Sequence, residues 1–193
     1  MNFITGEMFE DENFTGITCH NNSLKAKHFT NCKFERCSFS GTDLTDTLFS
    51  ECAFINCELN LVKLTGCKLQ EVSFSHCKLA GLDFSQCNSL LLEFKFLECV
   101  INSCSFTDLK LQNTSFQECT IRESDFVSTD LRKADFQRSD LSGSLFENTN
   151  LEGAGFIDAV NYHINPTNNK ISKAKFTMPE AIRLLASFDI LLE

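Results

Sequence analysis

Bulky apolar residues recur at every fifth position along most of this chain. Every fourth one is a phenylalanine, in a series with a period of twenty that slips once, by two residues: Phe14, Phe34, Phe54, Phe74, Phe96, Phe116, Phe136, Phe156 and Phe176. An amphipathic helix repeats its apolar face about every 3.6 residues and a half-buried strand about every two. A persistent period of five therefore predicts a solenoid made of short repeated units.

Each five-residue unit contains a bulky residue and, two positions earlier, a small one. In an extended chain these two side chains point to the same side, and the other three residues face solvent or form a corner. Each unit is then one side of a square and four units close a coil. Residues twenty apart would stack at about the 4.7–4.9 Å spacing of β-strands. The pattern predicts an all-β fold, a square β-helix filled by stacked side chains.

The chain is expected to form one domain, with the β-helix over residues 1–176 and a C-terminal cap over 177–193. The first coil, about residues 1–30, keeps the phase but places Asn22 and Lys27 where small inward residues belong, so we expect it to be irregular. An open terminal coil needs such a cap, because it leaves strand edges and apolar surface exposed.

Two further segments interrupt the period. The slip in the phenylalanine series places a two-residue bulge within residues 88–94, which is either a tolerated insertion at a corner or a functional loop. The register is then lost over residues 157–170, where a loop is expected on one side of the last coil.

The residues after the last repeat predict a short helix and an apolar tail. Thr177 and Glu180 have the spacing of a capping box, and the helix should run to about Ser187. Its apolar residues should share one face and cover the last coil: Met178, Ile182, Leu185 and Phe188. The tail beyond it predicts a homodimer interface formed by Phe188, Ile190, Leu191 and Leu192. The alternative is that the tail folds back onto the helix.

Eleven cysteines raise the question of disulfides or metal. Nine of them lie two residues before a bulky centre, where threonine, serine, alanine or valine stands in other units. Zinc sites need clustered ligands, commonly with histidine, and this spacing does not provide them. We interpret the cysteines as small core residues and expect no metal and no cofactor. The N-terminus lacks a signal-peptide pattern and no stretch is apolar enough to cross a bilayer, so we expect a cytoplasmic protein without membrane contact.

The charge balance limits the kinds of partner that the protein can bind. With 26 acidic and 17 basic residues the net charge is −9, and no basic run exists to meet phosphates, so direct nucleic-acid binding is not expected. Six aspartates occupy turn positions where local hydrogen bonds explain them. Among the other acids, Glu98, Glu118 and Asp158 should line one face, with Arg138 between them, and are the candidate partner surface.

Catalysis is not expected. The four histidines lie apart in sequence and none has a nucleophile or base placed near it. A glycine-rich phosphate loop is also missing from the sequence. We therefore assign no catalytic residues.

Units such as Ala134-Asp135-Phe136-Gln137-Arg138 and Ser139-Asp140-Leu141-Ser142-Gly143 resemble the signature of pentapeptide repeat proteins. The resemblance covers about residues 9–176 and implies a right-handed quadrilateral β-helix. Together with the Ile164-Asn165-Pro166 segment and the apolar tail, it resembles the bacterial group of microcin immunity and Qnr-type quinolone resistance proteins.

That resemblance implies a homodimeric rod that acts on DNA gyrase, with imitation of DNA as a proposed mechanism. The sequence lacks room for the long projecting loops of Qnr-type proteins, so it is more similar to the microcin immunity type. The alternative function is a passive protein-interaction scaffold of unknown partner.

Overall fold

The structure is a computed structural model that describes residue 4, residues 6–90, residues 92–188 and residue 190. It is an all-β, right-handed quadrilateral β-helix of about eight turns. Strands of successive coils run parallel, and away from the bulge strand partners are twenty residues apart: Phe9 lies beside Phe29, and Phe34 beside Phe54. The square coil predicted from the period of five is confirmed.

The sides of the coil are short, with two to four residues in strand geometry. Among the described residues the strands are β1 (Met8–Glu10), β2 (Asn13–Thr15), β3 (His28–Thr30), β4 (Lys33–Glu35), β5 (Leu48–Ser50), β6 (Ala53–Ile55), β7 (Glu58–Asn60), β8 (Lys68–Gln70), β9 (Val72–Ser75), β10 (Lys78–Ala80), β11 (Phe94–Leu97), β12 (Val100–Asn102), β13 (Phe116–Gln117), β14 (Thr120–Arg122), β15 (Gly155–Phe156) and β16 (Lys175–Phe176). They form parallel sheets in the orders β1-β3-β5-β8, β2-β4-β6-β9-β11-β13, β7-β10-β12-β14 and β15-β16.

We call the sides that carry the first three sheets faces A, B and C. The fourth side, face D, is joined by isolated parallel bridges such as Ser23 with Asp43. It also holds a 3-10 helix, Phe84–Gln86.

Phenylalanine rings fill the interior in two arrangements. Within a column the rings lie flat on one another, with centroids 4.8 Å apart for Phe34 and Phe54. Neighbouring columns meet edge to face, as Phe116 and Phe126 do at 89°. The second arrangement brings the positive edge of one ring to the negative face of the next. The core is therefore one continuous stack along the rod.

Residues at the small inward position hydrogen-bond to the backbone and also pack in the core. The Sγ atoms of Cys57 and Cys77 donate to the carbonyls of Phe34 and Phe54, each at 3.3 Å. In another coil the Thr149 hydroxyl donates to the Phe126 carbonyl at 2.6 Å. All eleven cysteines are buried free thiols, which agrees with their interpretation as core residues. These bonds also explain why cysteine, threonine and serine share this position.

The two extra residues lie between Asn88 and Glu93. The Asn88 N–H donates to the Cys67 carbonyl, 21 residues earlier as in regular coils, whereas the Glu93 N–H donates to the Leu69 carbonyl, 24 residues earlier. Beyond the bulge Phe96 is the strand partner of Phe74, and their rings stack with centroids 5.1 Å apart. The phenylalanine column thus continues through the insertion.

The first coil is more regular than the sequence predicts. Strands β1 and β2 pair with β3 and β4 at the ordinary separation of twenty. Lys27 is half-buried at its small inward position; its ammonium donates to the Gly6 carbonyl and lies 6.0 Å from the centre of the Phe9 ring. A long polar side chain is tolerated here because this coil is near the end of the rod.

Residues 157–170 remain part of the coil and do not project as a loop. Ile164 bridges Phe146 at a separation of only 18 residues, and Lys170 bridges Asn150 at the normal twenty. Tyr162 and Ile164 are buried and fill inward places. The chain is thus shortened by two residues before Ile164 and lengthened by two after it, which hides the period of five in the sequence.

The C-terminal cap is a 3-10 helix, Glu180–Phe188, that differs from the predicted helix. No capping box forms: the Thr177 hydroxyl accepts from the Asp158 N–H at 2.9 Å, and the Glu180 carboxylate pairs with Arg183. Leu184 packs against the core. The residues predicted to cover the last coil are instead exposed: Met178, Ile182, Leu185 and Phe188. A 3-10 helix repeats about every three residues, so the last three of these form one stripe towards solvent. Within the described part of the chain, we find no helix with the length and apolarity to cross a bilayer.

Candidate functional site

The corners of the coil decide which side chains a partner can meet. Among the described residues, twenty-four non-glycine residues and six glycines have positive φ, and nearly all of them lie two positions after an inward centre. The left-handed conformation turns the chain at each corner, and corners of successive coils stack. Residues about twenty apart therefore form columns of outward side chains along the edges of the rod. We call the edge between faces A and B edge AB, and that between faces B and C edge BC.

Edge BC carries the three acids predicted as a partner surface. Glu98, Glu118 and Asp158 have φ of 51°, 55° and 57° and are exposed. Arg138 forms an ion pair with Glu118, and the Nδ1 of His76 lies 3.3 Å from Glu98 Oε2. Of the three predicted acids, Asp158 alone has no ion-pair partner among the described residues. The structure brings the three onto one edge, where Arg138 offsets the charge of Glu118.

Edge AB carries a second acidic column that the sequence analysis missed. Glu51 and Glu71 are exposed at successive corners, and Glu93, 22 residues after Glu71, is exposed in the bulge of the next coil. In the described structure no Lys, Arg or His nitrogen lies within 4.0 Å of their carboxylates. The sequence did contain a signal for this column, because the spacings of 20 and 22 residues match those of the phenylalanine series.

The aspartates of the repeat signature accept hydrogen bonds from nearby backbone and side-chain groups. Asp43 accepts from the Thr45 N–H at 3.0 Å and from its hydroxyl at 2.6 Å. Partial burial raises the pKa of Asp43, but the bonds from Thr45 and the nearby Lys25 ammonium outweigh it and lower the pKa to about 2. Asp140 is similar: burial opposes its ionisation, yet bonds from Ser142, Asn161 and Arg122 lower its pKa to about 2. These aspartates are ionised, but their carboxylates are already bonded to neighbouring groups of the same chain.

The C-terminal end presents an apolar surface. Phe188 is 49% exposed and Ile190 is 50% exposed. Together with Ile182 and Leu185 they continue the stripe of the cap helix, beside a shallow groove lined by Pro179, Ile182, Leu185, Ala186 and Ile190. Of the predicted dimer residues, Phe188 and Ile190 are therefore accessible, while Leu191 and Leu192 lie outside the described residues.

The described residues contain no cluster of three His, Cys, Asp or Glu side chains placed to hold a metal ion. Burial raises the pKa of the Cys52 thiol to about 12 and that of Cys104 to about 11. Since the thiolate is the reactive form, these cysteines are unreactive at neutral pH.

Comparison with known proteins agrees with this architecture. A family model described as pentapeptide repeat region matches residues 27–95 and 84–156, more than half of the chain. No curated protein matches the chain in sequence.

Two solved structures are similar over most of their length. QnrB1, a plasmid-mediated fluoroquinolone resistance protein, is 13% identical with a TM-score of 0.73, over 96% of this chain and 100% of that one. HetL, involved in heterocyst differentiation regulation in the cyanobacterium Nostoc sp. strain PCC 7120, is 16% identical with a TM-score of 0.72, over 87% of this chain and 84% of that one. At such identity these structures establish the fold alone. Together with the family match, they show that this chain belongs to the pentapeptide repeat family.

Proposed function

We propose that this protein is a non-enzymatic rod in the bacterial cytoplasm that binds DNA gyrase or another type II topoisomerase. By occupying the DNA-binding surface of that enzyme it modulates or protects it and gives tolerance to a toxin or a quinolone. The observation that carries this proposal is the column of exposed carboxylates on edge AB, Glu51, Glu71 and Glu93, without ion pairs in the described structure.

The spacing of this column suits imitation of a nucleic-acid strand. Stacked coils set the backbones of Glu51 and Glu71 about 4.8 Å apart, and a DNA strand carries one charge about every 3.4 Å. A surface with such a line of negative charge attracts proteins that bind DNA and repels DNA itself. The rod would meet its partner along an edge, since the described coils carry no long projecting loop.

The fold of QnrB1, a fluoroquinolone resistance protein, supports the same proposal by analogy.

The proposal includes a homodimer. The exposed stripe of Ile182, Leu185 and Phe188 would face the same stripe of a second copy, with Ile190, Leu191 and Leu192 completing the interface. Joining two rods at their caps would give the assembly two such acidic columns.

A gyrase supercoiling assay with and without a quinolone tests the proposal. We expect the wild-type protein to change supercoiling or relieve quinolone inhibition at micromolar concentration. A variant with Glu51→Gln, Glu71→Gln and Glu93→Gln should lose that effect. The matched control, Glu123→Gln, Glu147→Gln and Glu152→Gln, removes three exposed charges elsewhere and should retain it. Equal activity of both variants would reject edge AB as the contact.

The alternative is a protein-interaction scaffold with another partner. The similar fold of HetL, a protein of heterocyst differentiation regulation, shows that rods of this kind also serve in regulation. No effect on gyrase and no binding at micromolar concentration would favour this alternative. A pull-down from a bacterial lysate would then identify the partner.

A further inference from the structure

Edge AB changes from acidic to basic along the rod. Its outward residues in successive coils are Glu51, Glu71, Glu93, Asn113, Lys133, Gly153 and Lys173. Glu93 lies in the bulge but keeps its place in this order, because the residues that follow Glu71 and Glu93, Val72 and Phe94, are strand partners. Three acids thus stand on one side of Asn113 and two lysines on the other.

The basic half of the edge is continuous although it contains a glycine. Lys133 and Lys173 are exposed, and the exposed Lys170 and Lys175 flank Lys173 in the same coil. A Cβ atom at Gly153 would lie 3.5 Å from the Cγ of Lys133, so the Lys133 side chain runs along the edge over the glycine corner. Among the described residues, no carboxylate lies within 4.0 Å of the Lys133 ammonium. The Lys133 ammonium is therefore available to a partner.

The acidic and basic positions are placed symmetrically about Asn113. With a spacing of about 4.8 Å between coils, Glu93 and Lys133 each lie about 5 Å along the rod from Asn113. Glu51 and Lys173 each lie about 14 Å from it. A twofold axis through Asn113, perpendicular to the rod, therefore exchanges acidic positions with basic ones.

We propose that a second copy of this protein binds along edge AB, antiparallel to the first, about this twofold axis. Glu51 of each copy then faces Lys173 of the other, and Glu93 faces Lys133. The two Asn113 side chains meet on the axis, where each amide can donate to the other. A twofold contact of this kind pairs one surface with itself, as in most dimers. Two parallel copies would instead set like charges against each other.

Neighbouring side chains fit the same arrangement. The axis sets Glu71 of each copy against the glycine corner that the Lys133 side chain of the other covers. It also places face B of one copy beside face B of the other. On that face Lys95 and Asp135 lie next to the edge, in the coils just before and just after Asn113. Each Lys95 therefore faces Asp135 of the second copy, which adds two further pairs of opposite charge.

The contact is narrow and mainly electrostatic. One edge of each rod buries less surface than the roughly 1,200–2,000 Å² of a stable interface, so association by this contact alone is weak and transient. The net charge of −9 on each copy opposes it further. The contact covers Glu51, Glu71 and Glu93, so self-association at high protein concentration would withhold these carboxylates from a topoisomerase. That consequence rests on the proposed function, whereas the contact itself does not.

A disulfide placed at the twofold axis tests the contact. In the full-length Asn113→Cys protein, oxidised glutathione should join two copies at this position, and each new disulfide reduces one glutathione disulfide to two thiols. The native cysteines are buried and do not compete. The matched control is Asn56→Cys, because Asn56 is an exposed corner residue of edge BC with a φ of 54°, close to the 62° of Asn113.

We expect the Asn113→Cys protein to form covalent dimers at least about tenfold faster than the control at about 50 mM salt, and the difference to disappear at about 1 M salt, where the screening length is about 3 Å. Non-reducing electrophoresis measures both rates. Equal rates in the two proteins at low salt, or a difference that salt does not change, would overturn the proposal.

An exchange of charges identifies the contacting residues. Two variants carry Asn113→Cys: an acidic one adds Lys133→Glu and Lys173→Glu, and a basic one adds Glu51→Lys, Glu71→Lys and Glu93→Lys. Each variant alone sets like charges against each other and should form covalent dimers at least about tenfold more slowly than the Asn113→Cys protein. In an equal mixture every facing pair along the edge is opposite in charge, so the covalent heterodimer should form at least as fast as the Asn113→Cys homodimer.

A tag on one variant distinguishes the heterodimer by mass, and circular dichroism checks that both variants are folded. A mixture without the heterodimer, or variants that dimerise alone as fast as the Asn113→Cys protein, would show that these side chains do not face each other. Neither experiment contains a topoisomerase, so the contact and the proposed function can fail independently.

Discussion

Phe116 and Phe136 lie flat on one another, with ring centroids 4.9 Å apart and 3° between the ring planes. Phe96 stacks on the other side of Phe116 at 5.3 Å, and Phe106 and Phe126 meet it edge-on. Phe116 therefore has aromatic neighbours above, below and on two sides, and none of its surface reaches solvent.

Phe116→Asp should unfold the central coils. The carboxylate would be buried between rings without a partner, which costs several kcal/mol. Phe116→Leu keeps an apolar side chain and should cost only about 1–2 kcal/mol. Urea denaturation followed by circular dichroism measures both. A Phe116→Asp protein that unfolds at the wild-type urea concentration would show that this side chain is not enclosed.

Stability should fall in alkaline solution. Burial raises the pKa of the Cys52 thiol to about 12 and that of Cys104 to about 11, above the ordinary value of 9.0. Because the unfolded thiols ionise first, their contribution to stability is complete below about pH 9 and is lost as the pH rises through 11 to 12.

Urea midpoints at pH 7, 9 and 10.5, under reducing conditions, measure this dependence. Threonine occupies the same inward position in other coils, so the Cys52→Thr, Cys104→Thr variant should fold and lose less stability over this range. An identical pH dependence in both proteins would contradict ionisation of these thiols as the cause.

The core could be predicted from the sequence because inward positions recur at a fixed spacing, whichever residue type occupies them. Phe74 and Phe96 could be paired across the bulge, since the phenylalanine and cysteine columns slip by the same two residues. Tyr162 and Ile164 were not predicted, because two compensating shifts restore the coil without restoring the period.

The prediction of which cap residues are exposed was wrong for a different reason. Leu184 faces the core because the 3-10 helix repeats every three residues, whereas the prediction assumed the α-helical repeat. Among the surface acids, the pairing of Glu118 with Arg138 follows from their spacing of twenty. The unpaired carboxylates of Glu51 and Glu71 required side-chain positions that the sequence does not give.

Tyr162→Phe should stabilise the protein. Tyr162 is fully buried between Phe156 and Phe176, with ring centroids 5.7 and 5.4 Å away, and its hydroxyl has no hydrogen-bond partner in the part of the chain that the structure describes. Removing an unsatisfied buried hydroxyl should raise the free energy of unfolding by about 1 kcal/mol. Thermal melting measures the change. Tyr162→Leu, which also removes the ring, should lower the melting temperature, and a lower melting temperature for Tyr162→Phe would show that the hydroxyl is bonded.

The wild-type protein should be a dimer through its C-terminal stripe. Light scattering is expected to give about twice the chain mass of 21.8 kDa. The variant Leu185→Glu, Phe188→Glu should give the single mass, because two charges would be buried in each half of the interface, whereas an apolar side chain there contributes about 1.5–3 kcal/mol. Truncation after Ser187 removes Phe188 and the tail and should have the same effect.

Ser187→Glu is the matched control for that experiment. It adds a charge to an exposed residue of the same helix outside the stripe of Ile182, Leu185 and Phe188, so the dimer mass should remain. If the tail instead folds back into the groove beside Pro179, the wild-type protein and all of the variants will have the mass of one chain. Because Leu184 holds the cap helix on the core in either arrangement, the melting temperature of the wild-type protein separates the two: it rises with protein concentration only if a second copy covers the stripe.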